Sequence, residues 1–146
     1  MTVLVAVDRG DKGRGTLEEG KRLADQFDDD LEVIHVLTRK EFVNLERTSV
    51  SETHEAVDPD EVREIAATIA REIAEEVLDD FTATGAVGDP AGEVLSLAKK
   101  RDARYIVIGV RKRSPVGKVV FGSTAQEILM DSDRSVVVVP RAKKAE

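Results

Sequence analysis

Three uninterrupted apolar runs constrain the fold of this chain more than any other feature. They occupy residues 3–7, 105–108 and 136–139, and each is too short for a membrane span. Such runs are typical of strands that are covered on both faces of a parallel sheet. Weaker strand patterns lie at 31–37 and 81–87, and helical patterns separate all five. The alternation predicts an α/β fold with an open five-stranded parallel sheet, helices on both faces and strand order 3-2-1-4-5.

The clearest helix begins at Asp58, which is followed by Pro59 at the first helical position and by acidic residues in the first turn. Asp89 and Pro90 begin another helix in the same way. The first of these helices is predicted to face the core with one apolar stripe, formed by Val62, Ile65, Ala66, Ile69, Ile73 and Val77.

Two further helix starts are predicted from the capping-box pattern, in which Ser or Thr is followed three residues later by Glu or Gln. Thr16 with Glu19 predicts one start, and Ser123 with Gln126 predicts the other. Gly20 lies inside the first of these helices, where glycine is unfavourable by about 1 kcal/mol relative to alanine. We expect that the helix approaches the sheet closely at this glycine.

The length of 146 residues fits one domain over the whole chain. Segment 39–57 has no clean periodicity, and we consider two interpretations: a mobile insertion, or a lid in which Phe42, Val43 and Leu45 fold over a ligand. Segment 141–146 is a charged tail. The acidic trio 28–30 is expected to be a solvated turn, and His35 a packed or edge residue of the second strand.

Composition excludes several classes of function. There is no cysteine and there are two histidines, so disulfides, thiolate chemistry and a zinc site are not expected. A net charge of −7 argues against general nucleic-acid binding. The absence of a membrane-length apolar run and of a signal-peptide pattern predicts no membrane association and a cytoplasmic location.

The region 105–124 has the features of a phosphate site. An apolar strand ends at Gly109, a basic loop follows, and a helix is predicted to begin with Ser123 as its N-cap. Helix N-termini bind anions because their first N–H groups lack partners inside the helix. In the predicted strand order this loop lies beside Asp8, at the switch point between the first and fourth strands, where open α/β sheets bind ligands. The loop is rich in cations, namely Arg111, Lys112, Arg113 and Lys118.

The spacing of Gly109, Gly122 and Ser123 resembles the signature of the universal stress protein family, Gly-x2-Gly-x9-Gly-Ser/Thr. Val-Ala-Val-Asp8, His35-Val36, Gly88-Asp-Pro90-Ala and the apolar last strand also resemble this family. Lys112 stands where the signature has its middle glycine. If that position has a positive φ, lysine is strained; if φ is negative, Lys112 adds a cation for phosphates.

The resemblance implies the fold of the adenine-nucleotide α-hydrolases and a regulatory, stress-response protein that binds ATP, alone or with Mg²⁺. Asp8 would contact the adenosine end and could hold Mg²⁺ through the phosphates. The backbone of Val36 would contact adenine. The complete set implied to bind nucleotide is Ala6, Val7, Asp8, Val36, Ile108, Gly109, Arg111, Lys112, Gly122, Ser123 and Thr124. The last strand would form a homodimer through Val136, Val137, Val138 and Val139.

Other nucleotide motifs do not fit. Gly117-Lys118 lacks the spacing of a P-loop, and Glu18 stands where a dinucleotide fingerprint beginning at Gly13 needs its third glycine. No nucleophile and base have catalytic spacing, so we expect no enzyme, or at most slow ATP hydrolysis. Two alternatives stay open. One is a ligand-free homodimeric scaffold. The other is an adenylate-forming enzyme, although the residues after Asp8 lack the pyrophosphate loop that such an enzyme needs.

Overall fold

The computed structural model describes residues 1–8, 13–44, 58–110, 112–113 and 119–140. A five-stranded parallel sheet lies at its centre. Its strands in chain order are β1 (Thr2–Ala6), β2 (Asp30–Leu37), β3 (Thr82–Val87), β4 (Ala103–Gly109) and β7 (Ser135–Val139). Their order across the sheet is β3-β2-β1-β4-β7, which confirms the predicted order 3-2-1-4-5.

Helices cover both faces of the sheet. They are α1 (Arg14–Phe27), α2 (39–44), α3 (Pro59–Glu75), α4 (Pro90–Arg101) and α5 (Ser123–Asp131). Helices α1 and α3 share a core with the odd-numbered residues of β1, such as Val3 and Val5. Helices α4 and α5 share a second core with Leu4 and the β4 residues Ile106 and Ile108. The apolar strand runs are therefore covered on both sides, as continuous apolar strands require.

Two glycines allow helices to approach the sheet closely. A Cβ atom at Gly20 of α1 would lie 2.4 Å from Cγ2 of Val5, and one at Gly85 of β3 would lie 2.1 Å from the carbonyl oxygen of Arg63 in α3. These distances leave no room for a side chain. The prediction that α1 approaches the sheet at Gly20 is confirmed.

The helix starts at Asp58 and Asp89 are confirmed. The Asp58 carboxylate accepts a hydrogen bond from the Asp60 N–H at 2.9 Å, and the Asp89 carboxylate accepts one from the Gly92 N–H at 2.9 Å. Prolines occupy the first turn in both helices.

Both capping-box predictions are wrong in position. Helix α1 begins at Arg14 after the N-cap Gly13, so Thr16 lies inside the helix and is buried. Helix α5 begins at Ser123 after the N-cap Gly122, and Gln126 donates a long bond of 3.5 Å to the Phe121 carbonyl instead of capping the helix. A glycine one or three residues earlier takes the N-cap in each case, because backbone geometry prevails over the side-chain pattern.

The core stripe of α3 differs from the prediction at Ile65, which is 40% exposed. The buried positions are alanines, together with one valine: Val62, Ala66, Ala67, Ala70 and Ala74. Small residues are needed because α3 lies so close to β3 at Gly85.

Segment 39–57 is partly described. Residues 39–44 are helical, and Phe42 packs against the core residues Leu37, Val62 and Ala66. Val43 is exposed. Leu45 and the remainder of the segment lie outside the described residues, as do Arg111, Lys118 and the tail 141–146.

The basic loop after β4 contains a two-stranded antiparallel hairpin that the sequence analysis did not predict. Strand β5 (Lys112–Arg113) pairs with β6 (Val119–Val120), with Lys112 opposite Val120. Because strand residues have negative φ, position 112 does not need glycine, and the strained alternative for Lys112 does not apply.

Candidate functional site

A cavity of about 620 Å³ opens at the carboxyl ends of β1, β2 and β4. This is the switch point of the sheet, where the chain leaves β1 for one side and β4 for the other. The residues of the nucleotide prediction that line the cavity are Ala6, Val7, Asp8, Val36, Ile108, Gly109, Gly122, Ser123 and Thr124. Lys112 is in the neighbouring hairpin, and Arg111 is outside the described residues.

The N-terminus of α5 forms one end of the cavity. Its N-cap, Gly122, has φ −73° and ψ 170°, an extended conformation open to any residue, and no side chain caps the helix. A Cβ atom at Gly122 would have no described atom within 4 Å. Neither the backbone nor the packing of the described chain therefore requires glycine at this position, and the space beside it belongs to the cavity.

The N-terminus of α1 also contributes to the cavity. Gly13 is its N-cap in the left-handed region, with φ 58°, and again no side chain caps the helix. The first N–H to be bonded inside the helix is that of Leu17, at 2.8 Å from the Gly13 carbonyl. Gly13 and Thr16 line the cavity. Two helix N-termini without side-chain caps thus meet one cavity and give it a positive field.

An apolar wall runs along the cavity. Ile34, Val94 and Ile108 contribute to it and also belong to the core shared with α4 and α5. Val36 and Pro90 continue the wall toward the carboxyl end of β2. A flat apolar group can pack against such a surface while polar groups bind at its ends.

Hydrogen-bond acceptors lie at the β1 and β2 side of the cavity. Asp8 follows β1. Glu41, in the first turn of α2, forms a capping box with Thr38: its Oε1 accepts from the Thr38 N–H at 3.3 Å and from the Thr38 hydroxyl at 3.1 Å, while the Glu41 N–H donates to that hydroxyl at 3.2 Å. Asp8, Thr38 and Glu41 all line the cavity.

His35 is buried in the wall of the cavity, which agrees with the prediction of a packed residue. Its Nδ1 lies 3.0 Å from the carbonyl oxygen of Val7. A carbonyl only accepts, so Nδ1 carries the hydrogen and donates. This bond connects β2 to the end of β1, while Nε2 is buried and has no hydrogen-bond partner among the described residues.

Sequence reasoning missed the lining residues near the starts of α1, α2 and α4, and further residues of β2, the β4 end and α5. Thr38-x-x-Glu41 matches the capping-box pattern and could have located α2 and its place at the end of β2. No comparable signal marks the others. The missed residues are Gly13, Thr16, Ile34, His35, Thr38, Glu41, Pro90, Val94, Val110, Ala125 and Ile128.

The described groups with clearly shifted pKa values lie away from the cavity. Asp29, whose side chain is 2% exposed, accepts from Arg104 Nε at 2.7 Å and lies 3.5 Å from the amino terminus. The hydrogen bond from Arg104 is the largest cause that lowers the pKa of Asp29, and it raises that of Arg104. The expectation of a solvated 28–30 turn is therefore wrong for Asp29.

Neighbouring charges at the same amino end of the sheet are also paired. Glu32, with a side chain 6% exposed, accepts from Arg101 Nε at 2.9 Å and from the Thr84 hydroxyl at 2.7 Å. Arg134 donates to Asp102 at 2.8 Å.

Residues 1–140 match the sequence profile of the Universal stress protein family. This chain belongs to the universal stress protein family. A universal stress protein of Mycolicibacterium smegmatis is 30% identical over 127 residues, which cover 87% of this chain and 88% of that protein.

Solved structures share the fold. A universal stress protein in complex with cAMP superposes with a TM-score of 0.65 at 16% identity, covering 95% of this chain and 96% of the other. A universal stress protein from Archaeoglobus fulgidus in complex with dAMP gives 0.53 at 20% identity, covering 94% and 96%.

Two features are absent from the part of the chain that the structure describes. No group of three or more His, Cys, Asp or Glu side chains is placed to hold a metal ion. No helix among them has both the length and the apolar character to cross a membrane.

Proposed function

We propose that this universal stress protein family member is a regulatory, stress-response protein of the cytoplasm that binds ATP in the cavity between β1 and β4. One observation carries the proposal: a cavity at the switch point combines two helix N-termini without side-chain caps, an apolar wall and an opposing group of acceptors. A nucleotide has the complementary layout, with an anionic end, a flat base and donor groups on its sugar and base.

Gly122 supports phosphate binding at the α5 end. The N–H groups of Ser123 and Thr124 are in the first turn of α5, where no carbonyl inside the helix accepts from them. The empty volume beside Gly122 is where a phosphate can reach those donors. The cAMP and dAMP complexes of universal stress proteins with this fold support an adenine nucleotide as the ligand.

Mg²⁺ would depend largely on the nucleotide for its ligands. Asp8 is the carboxylate of the cavity closest in sequence to the β1 end, and the described residues supply no cluster that holds a metal alone. Mg²⁺ commonly binds through one or two carboxylates and substrate phosphates. We propose a role for bound ATP as a regulatory signal and not as the substrate of an efficient reaction.

Isothermal titration with ATP, in the presence and absence of Mg²⁺, tests the proposal. Gly122→Val adds a branched side chain whose Cβ would have no described atom within 4 Å, so the fold should persist while phosphate binding is lost. Gly122→Ala should give a smaller loss. Gly15→Ala is the control, because its Cβ would lie 3.8 Å from Val139, an ordinary contact outside the cavity lining. Unchanged ATP affinity in Gly122→Val would exclude the proposed site.

Homodimer formation through β7 is a second candidate function, favoured by the exposed apolar surface beside it. Strand β7 is an edge of the sheet, and its four valines are half-buried. Met130 at the end of α5 is 82% exposed and Leu129 is 38% exposed. Unpaired strand edges readily pair with a second chain.

The exposed Met130 allows a test that spares the core. Met130→Asp should convert the dimer to a monomer in light scattering while leaving the unfolding temperature unchanged. Val43→Asp, at an exposed position on α2, is the control. A wild-type chain that is monomeric at high concentration would exclude this candidate.

A further inference from the structure

The position of Glu41 relative to the phosphate end carries an inference that rests on the proposed nucleotide site. Across the sheet the relevant strands run β2, β1, β4. The helix N-terminus of α5 lies beyond β4, Asp8 follows β1, and Glu41 follows β2. Two inter-strand spacings, about 10 Å in all, separate the β4 and β2 ends. A nucleotide with its phosphate at α5 therefore places its ribose near Asp8 and its base near Glu41.

The Glu41 carboxylate is fixed and retains binding capacity. Its Oε1 is held by the backbone and hydroxyl of Thr38, which sets the orientation of the side chain. No described group donates to Oε2, and no described cation forms an ion pair with Glu41. Each carboxylate oxygen has two acceptor positions. The base end of the cavity thus presents a carboxylate oxygen to which no described group donates.

We propose that Glu41 is a specificity-determining residue that selects nucleobases with an exocyclic amine and rejects those with a carbonyl at the same edge. An amine donates to the carboxylate and forms a charge-assisted hydrogen bond. A carbonyl oxygen at the same position directs its lone pairs at the negative carboxylate. The two groups repel each other, and both lose hydration without a hydrogen bond in return. Purines with a 6-amino group are the predicted class, and 6-oxo purines are excluded.

ATP and ITP form the matched ligand pair, because they differ in the 6-amino or 6-oxo group and in the hydrogen that N1 carries in the 6-oxo base. In isothermal titration the wild-type protein should bind ATP at least about tenfold more tightly than ITP, as expected when a hydrogen bond to a charged group is replaced by an unpaired contact. This measurement needs no variant, and equal affinity would overturn the inference.

Glu41→Gln is the matched variant. Glutamine also serves at the third helical position of a capping box, so α2 should keep its start and the unfolding temperature should not change. The glutamine amide can donate to a 6-oxo group, so the preference for ATP over ITP should fall to roughly twofold or less. Glu61→Gln is the control, since Glu61 is an exposed first-turn acid of α3 outside the cavity lining.

The outcomes distinguish this inference from the proposed function. If ATP binds but Glu41→Gln leaves the ATP-to-ITP ratio unchanged, the assignment of Glu41 is wrong. If the variant instead changes the ratio of ATP to dATP, Glu41 contacts the ribose and the base-edge assignment is wrong. If neither ATP nor ITP binds the wild-type protein, the nucleotide proposal itself fails.

Discussion

The two ends of the central sheet satisfy their polar groups in opposite ways. At the amino end, the buried carboxylates of Asp29 and Glu32 each accept from an arginine, at 2.7 Å and 2.9 Å. At the carboxyl end, no described side chain caps α1 or α5, and no described group donates to Glu41 Oε2. The buried carboxylates of the amino end are thus paired within the protein, whereas the carboxyl end presents helix starts without described side-chain caps to a cavity.

The contrast also holds among the helices of the carboxyl end. Thr38, Asp58 and Asp89 cap α2, α3 and α4 with side-chain oxygens. The helices without a described side-chain cap, α1 and α5, have the N-caps Gly13 and Gly122, which line the cavity. Asp58 and Asp89 lie outside the lining, whereas Thr38 lines the cavity and still caps α2 with its side chain.

A carboxylate N-cap on α5 should give the largest change in ATP affinity, because it makes this helix start resemble the capped starts of α3 and α4. In Gly122→Asp the new side chain would accept from the first-turn N–H groups, which should stabilise the fold by about 0.5 kcal/mol. The same carboxylate would occupy the phosphate position and repel the ligand, so ATP affinity should fall at least about 100-fold. Titration and thermal unfolding measure the two effects.

Gly122→Asn is the control for charge, because it offers a neutral cap of nearly the same size. We expect a smaller loss of affinity than with aspartate. Loss of both stability and affinity in Gly122→Asp would mean that the site is needed for folding, contrary to the comparison.

Breaking an ion pair at the amino end should lower the stability of the fold and leave ATP affinity unchanged. Arg101→Met leaves Glu32 with the Thr84 hydroxyl as its remaining described partner. Breaking a buried pair is strongly destabilising, but the Arg101 side chain is 38% exposed and water can replace part of it, so we expect a loss of about 2 kcal/mol. Urea unfolding measures the loss, and ATP affinity should not change.

Arg63→Met provides the matched control, because Arg63 pairs with Asp60 on the exposed surface of α3. A surface pair contributes about 0–1 kcal/mol, so its stability should change little. Equal losses in the two variants would contradict the assignment of Glu32 as a buried, pair-dependent carboxylate.

The smallest effect is confined to acid pH and concerns Asp29. Its pKa in the folded protein is below the ordinary value of about 3.9, chiefly because of the Arg104 hydrogen bond. A lowered folded pKa contributes stability that is present above about pH 4 and is lost as pH falls through the folded pKa. Urea midpoints from pH 7 to acid should therefore fall more for the wild type than for Asp29→Asn, and parallel curves would contradict this.

Much of the fold followed from local sequence patterns. The continuous apolar strands and the Asp-Pro helix starts predicted the sheet and two of its helices because strands covered on both faces and helix starts with proline have few alternatives. Nine of the eleven residues implied by the family resemblance line the cavity, because they lie at the ends of β1, β2 and β4 or at the start of α5; Lys112 lies in β5, and Arg111 is outside the described residues.

The remaining features depend on contacts that a local pattern does not contain. Gly13 adopts a left-handed conformation that starts α1 two residues before Thr16, and Ile65 is exposed because the alanines of α3 face Gly85. Glu41 reaches the cavity because α2 starts directly at the end of β2. The capping-box pattern at Thr38 was available, but its relation to the base end of the site required the strand order.

The close packing of helices against the sheet at Gly20 and Gly85 limits which helices can shift relative to the sheet. Helices α1 and α3 cover the same face of the sheet. At Gly20 and Gly85 there is no room even for a Cβ atom, so a shift of either helix toward the sheet would cause a clash. On the other face α5 has one fully buried residue, Ile128, and starts at the cavity. We therefore expect α5 to shift more readily than α1 or α3.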